Sequence, residues 1–530
     1  MQESVIVANP ETEAASEQPV SASATWIRFD YALLAALVGL LAHDLFYLLI
    51  GLRHTIDDYF GFRQTQTALT TYWVAQGGPW LAYETPVLGY PWTIPLEFPV
   101  YQLLTAALTL IGIPIDVGGR LVSFAFFAGA LGPLWLLLRT LDFPRSTRLI
   151  VSILFLASPL YIFYARTLMI ESTAVFFGLL WLACLAQFLK RRSWVVFVAT
   201  LVAGSLATVS KVTTFPAFGF LGGVLILAYA FRSWRAGIDR DRLATLALAA
   251  MAVLLPLLVA DAWVVYSDQL KLGSRISTLF TSAALQQWNF GSWQQRISLQ
   301  LWHDVVLFRA LPDIFGYGAL IAIPLLGVSL FNRKYGWAAL LCIAAFLVPF
   351  LVFTNLHLVH SYYQNANALF ALAAVGFSLG ALAAPGRQVI VAALLAAIVV
   401  GQLAFFRKNY ADVIWYPPKP PELLIALKAK EMTHPDESLL VLGLDWSSVV
   451  PYYSERKSLA VPTWLPTPLL QQVLEDPQAF LGDRKLGGIV WCANGPAAAF
   501  GDRLPMLEAF FAGRTLLAEA DRCKLLSPQG

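Results

Sequence analysis

The sequence predicts a polytopic α-helical membrane body followed by a small soluble α/β domain. Three observations predict this. Of 530 residues, 58% are apolar and only 13% are charged, about half the ~25% charged share of soluble chains. Long apolar runs recur along the body, each roughly 17–24 residues and so able to span a bilayer. The charge is uneven: residues 411–530 hold 25 charged residues, and the 410 residues before them hold 44. A soluble fold could not cover so much apolar surface. The net charge of +3 with no basic block argues against a nucleic-acid partner. The four cysteines form no CxxC pair and cannot make a disulfide framework.

Residues 1–25 have little apolar patterning and read as a disordered cytoplasmic tail, without the basic start of a secretory signal. The body, 26–406, is expected to hold about eleven transmembrane helices. They fall near 30–52, 117–139, 148–164, 172–189, 194–210, 212–231, 243–266, 314–331, 337–353, 366–383 and 388–406. Lys211 and Pro216 interrupt the 194–231 stretch. Counted this way, the basic clusters share one side: Arg139, Arg145 and Arg148; Lys190, Arg191 and Arg192; Arg232, Arg235, Arg240 and Arg242; Arg333 and Lys334; Arg387. That side is cytoplasmic by the excess of Lys and Arg. The opposite side receives a first outer loop (53–116), a second (267–313), a short polar loop (354–365) and the C-terminal domain. Amphipathic stretches near 61–76 and 97–111 are expected to lie along the membrane surface.

In the C-terminal domain (407–530), Ser438–Leu444 and 488–492 read as buried strands, and 469–474 and 505–511 as helices. Cys492 and Cys523 lie where a disulfide would persist; the alternative is two buried thiols.

The ionisable residues of the body gather at the outer side. Asp57 and Asp58 follow the first span. A partly desolvated carboxylate there could take a proton from an acceptor hydroxyl; alternatively the pair caps a helix starting near Tyr59. Arg63 and Gln64 follow closely. Glu97, in Glu97-Phe98-Pro99, either serves the site or complements a helix N-terminus. Arg166 and Glu171 bracket the turn after the third span, either as partners or as site groups, because charges at that depth need pairing or a wet cavity. Arg166 and Lys211 suit a phosphate; snorkelling is the alternative for Lys211. His357 and His360, three apart, could hold a metal if helical, but with Tyr362 and Tyr363 they better suit substrate hydrogen bonding. No metal site is complete in the sequence, and no cofactor is implied beyond an optional divalent cation. His43, Asp44 and Asp261 fall inside spans, within reach of the same outer side. There is no Walker loop, GxGxxG, GxSxG or HExxH element.

Taken in order, these features resemble the C-type membrane glycosyltransferases, nearest the protein O-mannosyltransferase-like group (glycosyltransferase family 39). That group includes the aminoarabinose transferase of lipid A and the galacturonosyltransferases of lipopolysaccharide core. The elements are Asp57-Asp58, Glu97-Phe98-Pro99, Arg166 to Glu171, Lys211 and His360-Ser361-Tyr362-Tyr363. The resemblance implies a C-type fold over about 30–405 and a sugar donor carried on polyprenyl phosphate. It further implies a lipid, glycan or protein acceptor, and a catalytic carboxylate at Asp57, with Asp58 second. Some relatives have Lys where this chain has Phe98, so phosphate contacts would come from Arg166 or Lys211. It also implies a multi-pass protein of the bacterial cytoplasmic membrane, its C-terminal domain outside. A transporter or lipid flippase is the competing class. It would place polar groups at the midplane between repeats, and no repeat is evident.

Overall fold

A computed structural model describes residues 20–493 and 495–529. The expected tail lies outside the described residues up to position 19, and 20–25 belong to the first helix, α1 (Val20–Gly51). Among the described residues, eight helical segments are long and apolar enough to cross a bilayer: Ile27–Gly51, Ile115–Thr140, Glu171–Arg191, Val212–Arg235, Arg240–Lys271, Gln300–Ser329, Arg333–Val352 and Gln388–Asn409. The other three expected spans are helical but shorter. Trp194–Ser210 has 17 residues and Ala368–Leu382 has 15. The 148–164 stretch divides into Arg145–Ala157 and Pro159–Tyr164. Ser158 between them takes an extended ψ of 123°, as a residue before proline must when the ring crowds the helical region.

Ala368–Leu382 is buried on every side from Ala368 to Gly380, which explains its all-round apolar sequence. It packs against Arg145–Ala157, Ala319–Ser329 and Arg333–Val352 as the post of the bundle. The expected second loop is shorter than its sequence suggested. Gln300–Ala310 is already helical, in π-type geometry, and runs on toward Ser329. At Lys211 the chain turns extended (φ −165°, ψ 94°) before Phe215–Arg235, so the interruption read at this residue is a true break.

Two helices of the first loop follow: α2 (Gly61–Ala75), which has no exposed residue and so is not the surface helix expected, and α3 (Val100–Thr109). Next, α4 (Ile115–Gly129) opens the second long helical segment. The C-terminal domain holds a five-stranded mixed sheet. Its strands are β1 (Ser438–Leu442), β2 (Lys457–Ala460), β3 (Leu486–Cys492), β4 (Leu516–Ala520) and β5 (Cys523–Leu526), in the order β2-β1-β3-β5-β4. The first three run parallel and the last two antiparallel. β1 is buried throughout, as a central parallel strand should be. Cys492 and Cys523 pair in register across β3 and β5 and form a disulfide.

The edge at β2 is covered by the first loop. Ser458 N–H donates to Pro86 O (3.0 Å), Ala460 N–H to Val87 O (2.7 Å) and Gly89 N–H to Ser458 O (3.1 Å). Val87, Leu88, Trp92 and Ile94 then join the apolar core that contains β1. Loop 84–94 is thus built into the C-terminal domain, which hides an edge that would otherwise be open for pairing. Gly89 is needed there: its φ is +79°, and a Cβ would lie 2.7 Å from Phe480 O.

Candidate active site

Residues 52–60, after α1, are held from below by Arg120 on α4. This arginine is fully buried. It donates to His54 O (3.3 Å), Thr55 O (2.9 Å) and Arg166 O (3.3 Å). From above, the Tyr453 hydroxyl accepts Ile56 N–H at 2.9 Å. Its neighbour Tyr452 bonds to Asp116 in the first turn of α4. The C-terminal domain therefore holds the loop through Tyr453 and the start of α4 through Tyr452.

The two aspartates occupy different environments. The Asp58 side chain, 3% exposed, accepts from Arg166 Nη2 at 3.0 Å and from the Gln64 amide. Gln64 also donates to Tyr59 O (3.0 Å) and accepts Leu168 N–H (2.9 Å), so it stitches the loop to the turn carrying Arg166. Asp57 is 8% exposed, and its buried Oδ2 has no hydrogen-bond partner among the described residues. Its carboxylate rests on bare Gly61, where a Cβ would fall 1.9 Å from Oδ1. Burial, with Glu422 and Asp58 nearby, pushes the Asp57 carboxyl up to about 7. A buried, singly unsatisfied carboxylate of that basicity can take or hold a proton near neutral pH.

Beside this pair lies a cluster of buried charge. Arg63 on α2 bonds to Gln66 and to the Glu97 carboxylate. The 95–98 segment carrying Glu97 is pinned on several sides. Tyr83 OH donates to Glu97 O and accepts Leu96 N–H, both at 2.7 Å. Trp263 Nε1 donates to Leu96 O at 3.1 Å, and Phe98 N–H to Val209 O at 3.1 Å. Lys211, 5% exposed, pairs with Glu171, 2% exposed. Its ammonium lies 4.5 Å from the Tyr363 ring centroid and 5.0 Å from that of Tyr362, within cation–π range. His360 stacks on Tyr362 at 5.1 Å. Burial and the cations Arg63 and Lys211 lower the His360 imidazole to about 4, so it is neutral at pH 7.

Several sequence alternatives fall here. The helix-cap reading of Asp57 and Asp58 fails, because α2 begins at Gly61 with Phe60 as cap and no side-chain cap bond. Glu97 does not cap α3, whose first turn holds no acid; it pairs with Arg63. Arg166 and Glu171 are not each other's partners; each meets a charge from another segment. Lys211 is not snorkelling. The metal reading of His357 and His360 fails as well. His360 has left the helix Thr354–Val359 with extended angles, and His357 is fully buried against Phe350. Among the described residues no group of three His, Cys, Asp or Glu side chains could hold a metal ion. His43 bonds its neighbour Asp44 and packs on Tyr47 and Phe406, and Asp261 is exposed on its helix. These three residues stay outside the cluster.

Sequence reasoning missed three residues. Arg120 sat in plain view as an arginine inside an expected span. Arg309, which donates to Leu358 O at 3.0 Å and to His357 O, was hidden in a supposed loop. Tyr453 gave no signal.

Residues 102–275 match the family model described as dolichyl-phosphate-mannose-protein mannosyltransferase. The described part of the chain has the fold of the C-type membrane glycosyltransferases. Among solved structures it is similar to ArnT from Cupriavidus metallidurans bound to undecaprenyl phosphate. The TM-score is 0.63 at 14% identity, covering 92% of this chain and 97% of that one. It is also similar to the archaeal oligosaccharyltransferase AglB from Archaeoglobus fulgidus in complex with an inhibitory peptide and a dolichol-phosphate. There the TM-score is 0.54 at 12% identity, covering 94% and 74%. No curated protein matches the chain by sequence.

Proposed function

We propose that this chain is an integral-membrane glycosyltransferase. It moves a sugar from a polyprenyl-phosphate donor to an envelope glycolipid, polysaccharide or protein acceptor. The reaction takes place at the outer face of the bacterial cytoplasmic membrane, with the C-terminal domain on that face. The observation that carries the reading is the division of labour between the aspartates. Asp58 is consumed by Arg166 and Gln64, whereas Asp57 keeps a buried oxygen without a partner among the described residues.

In the proposed reaction Asp57 accepts the proton of the acceptor hydroxyl. The hydroxyl oxygen attacks the anomeric carbon, and the bond from that carbon to the phosphate oxygen breaks. Polyprenyl phosphate leaves with the electron pair. Arg63 and Lys211 lie where their charge would favour that anion. Glu97 and Glu171 hold these cations in place before substrate arrives. His360, neutral and stacked, offers a hydrogen bond without adding charge. The membrane-held lipid tail supplies position and local concentration. The similarity to an ArnT structure bound to undecaprenyl phosphate supports the donor class.

The test is Asp57→Asn in cells or in reconstituted membranes. Sugar transfer should be abolished while the protein's membrane abundance stays at the wild-type level. Transfer at the wild-type rate would refute the role of Asp57. Mass spectrometry of envelope glycolipids and glycoproteins with and without the gene would name donor and acceptor.

A further inference from the structure

The bundle carries a hollow whose lining residues lie outside the aspartate loop. It lies where α1 meets the end of Gln388–Asn409, has a volume of about 680 Å³, and is lined by Tyr47, Arg407, Lys408, Asp412, Trp415 and Tyr416. Its floor is Ala404 and Ala411. Tyr47 and Ala404 belong to the last turns of two apolar helices, whereas Asp412 to Tyr416 lie beyond them. The hollow therefore straddles the boundary between apolar span and polar loop, the depth at which Trp and Tyr collect.

The charges within it are specific. Arg407, Lys408 and Asp412 are exposed. Among the described residues no ion pair or side-chain hydrogen bond engages any of the three. Two cations in the last turn of Gln388–Asn409 suit the helix dipole by themselves. Asp412, in the first turn of Ala411–Trp415, suits that helix's dipole in the same way, but neither dipole accounts for all three charges lining one hollow together with three aromatic side chains. Cations placed with one carboxylate and aromatic faces match a ligand that carries both a phosphodiester and an ammonium group. A purely anionic ligand would meet the repulsion of Asp412.

We propose that this hollow binds the headgroup of a zwitterionic phospholipid. Arg407 and Lys408 hold the phosphodiester, Asp412 faces the ammonium, and the rings of Tyr47, Trp415 and Tyr416 enclose it. The acyl chains continue down the groove between α1 and Gln388–Asn409, where lipid would lie in a bilayer. None of its lining residues belongs to the aspartate loop or the charge cluster, although Tyr410 beside it packs on Tyr59 of that loop, so the lipid test is read separately from sugar transfer.

The test uses the full-length protein in mild detergent, equilibrated with equal phosphatidylethanolamine and phosphatidylglycerol, and native mass spectrometry of the lipid retained. The wild type should retain phosphatidylethanolamine with roughly fivefold preference, the factor that one exposed ion pair can supply. Asp412→Asn should lower that preference to near one. The Arg407→Ala, Lys408→Ala double variant should retain neither lipid above detergent background. Equal or greater retention of phosphatidylglycerol by the wild type would overturn the proposal. So would an unchanged preference in Asp412→Asn. Thermal unfolding of each variant shows that it is folded, so loss of lipid reads as loss of the site. Inorganic phosphate added at millimolar concentration should not displace the lipid; if it does, the site is a phosphate site and the headgroup assignment fails.

Discussion

At the scale of single residues, the Asp57 carboxyl sets the pH behaviour. Its folded value of about 7 lies above the ordinary 3.8. The base form is about a tenth populated at pH 6 and about nine-tenths at pH 8. Transfer should therefore rise roughly tenfold between those pH values, measured with donor and acceptor in excess. The stability effect has the opposite sign. An acid whose folded pKa is raised binds more protons folded than unfolded, so its contribution is full below pH 3.8 and lost as pH climbs through 7. Thermal melts from pH 4 to 8 should show wild type losing stability relative to Asp57→Asn, by up to about 4 kcal/mol. The buried pairs make a second prediction. Removing one partner of a buried pair strands the other charge, at about 3–5 kcal/mol. Glu171→Gln should lower the melting temperature, and the Glu171→Gln, Lys211→Met double variant should recover part of that loss.

At the scale of elements, the loop 52–60 depends on its neighbours more than on itself. Tyr453→Phe removes the acceptor for Ile56 N–H and should reduce kcat about three- to tenfold, the worth of one hydrogen bond. KM should change little and the pH profile should shift, because Asp57 is the group that moves; a purely structural role would lower abundance instead. Gly61→Ala should be harsher, since a methyl group cannot share space with Asp57 Oδ1. The sequence pattern told the type of most elements well. Apolar length revealed the long spans, and amphipathic period revealed α2 and α3. Pattern failed at Gln300–Ala310, which is polar enough to pass for a loop but is helical. Within the site, the residue types pointed to charge at the outer ends of helices. The partners did not, because Arg166 reaches back 108 positions to Asp58, and no local spacing encodes such a distance.

At the scale of the molecule, body and domain are one construction. The C-terminal domain supplies Tyr453 to the site loop and Tyr452 to α4, and its β2 edge pairs with backbone of the first loop in return. Residues 411–530 made alone should expose β2 as an open edge and self-associate on size-exclusion chromatography. A peptide of residues 84–94 should reduce that association. If the isolated domain stays monomeric without the peptide, the shared sheet contributes little.

That shared edge also sets an order of events. Residues 86–89 leave the ribosome about 370 positions before 458–460, their partners at the sheet edge. Chains are built from the N-terminus, so the first outer loop must wait, unpaired, until nearly the whole protein has been made and the last domain has arrived beside it. The aspartate loop is therefore finished last, although it is among the first parts synthesised. A chain cut short before Tyr453 would lack both the hydroxyl that accepts Ile56 N–H and the edge that pairs with residues 86–89, and so would leave its aspartate loop unfinished.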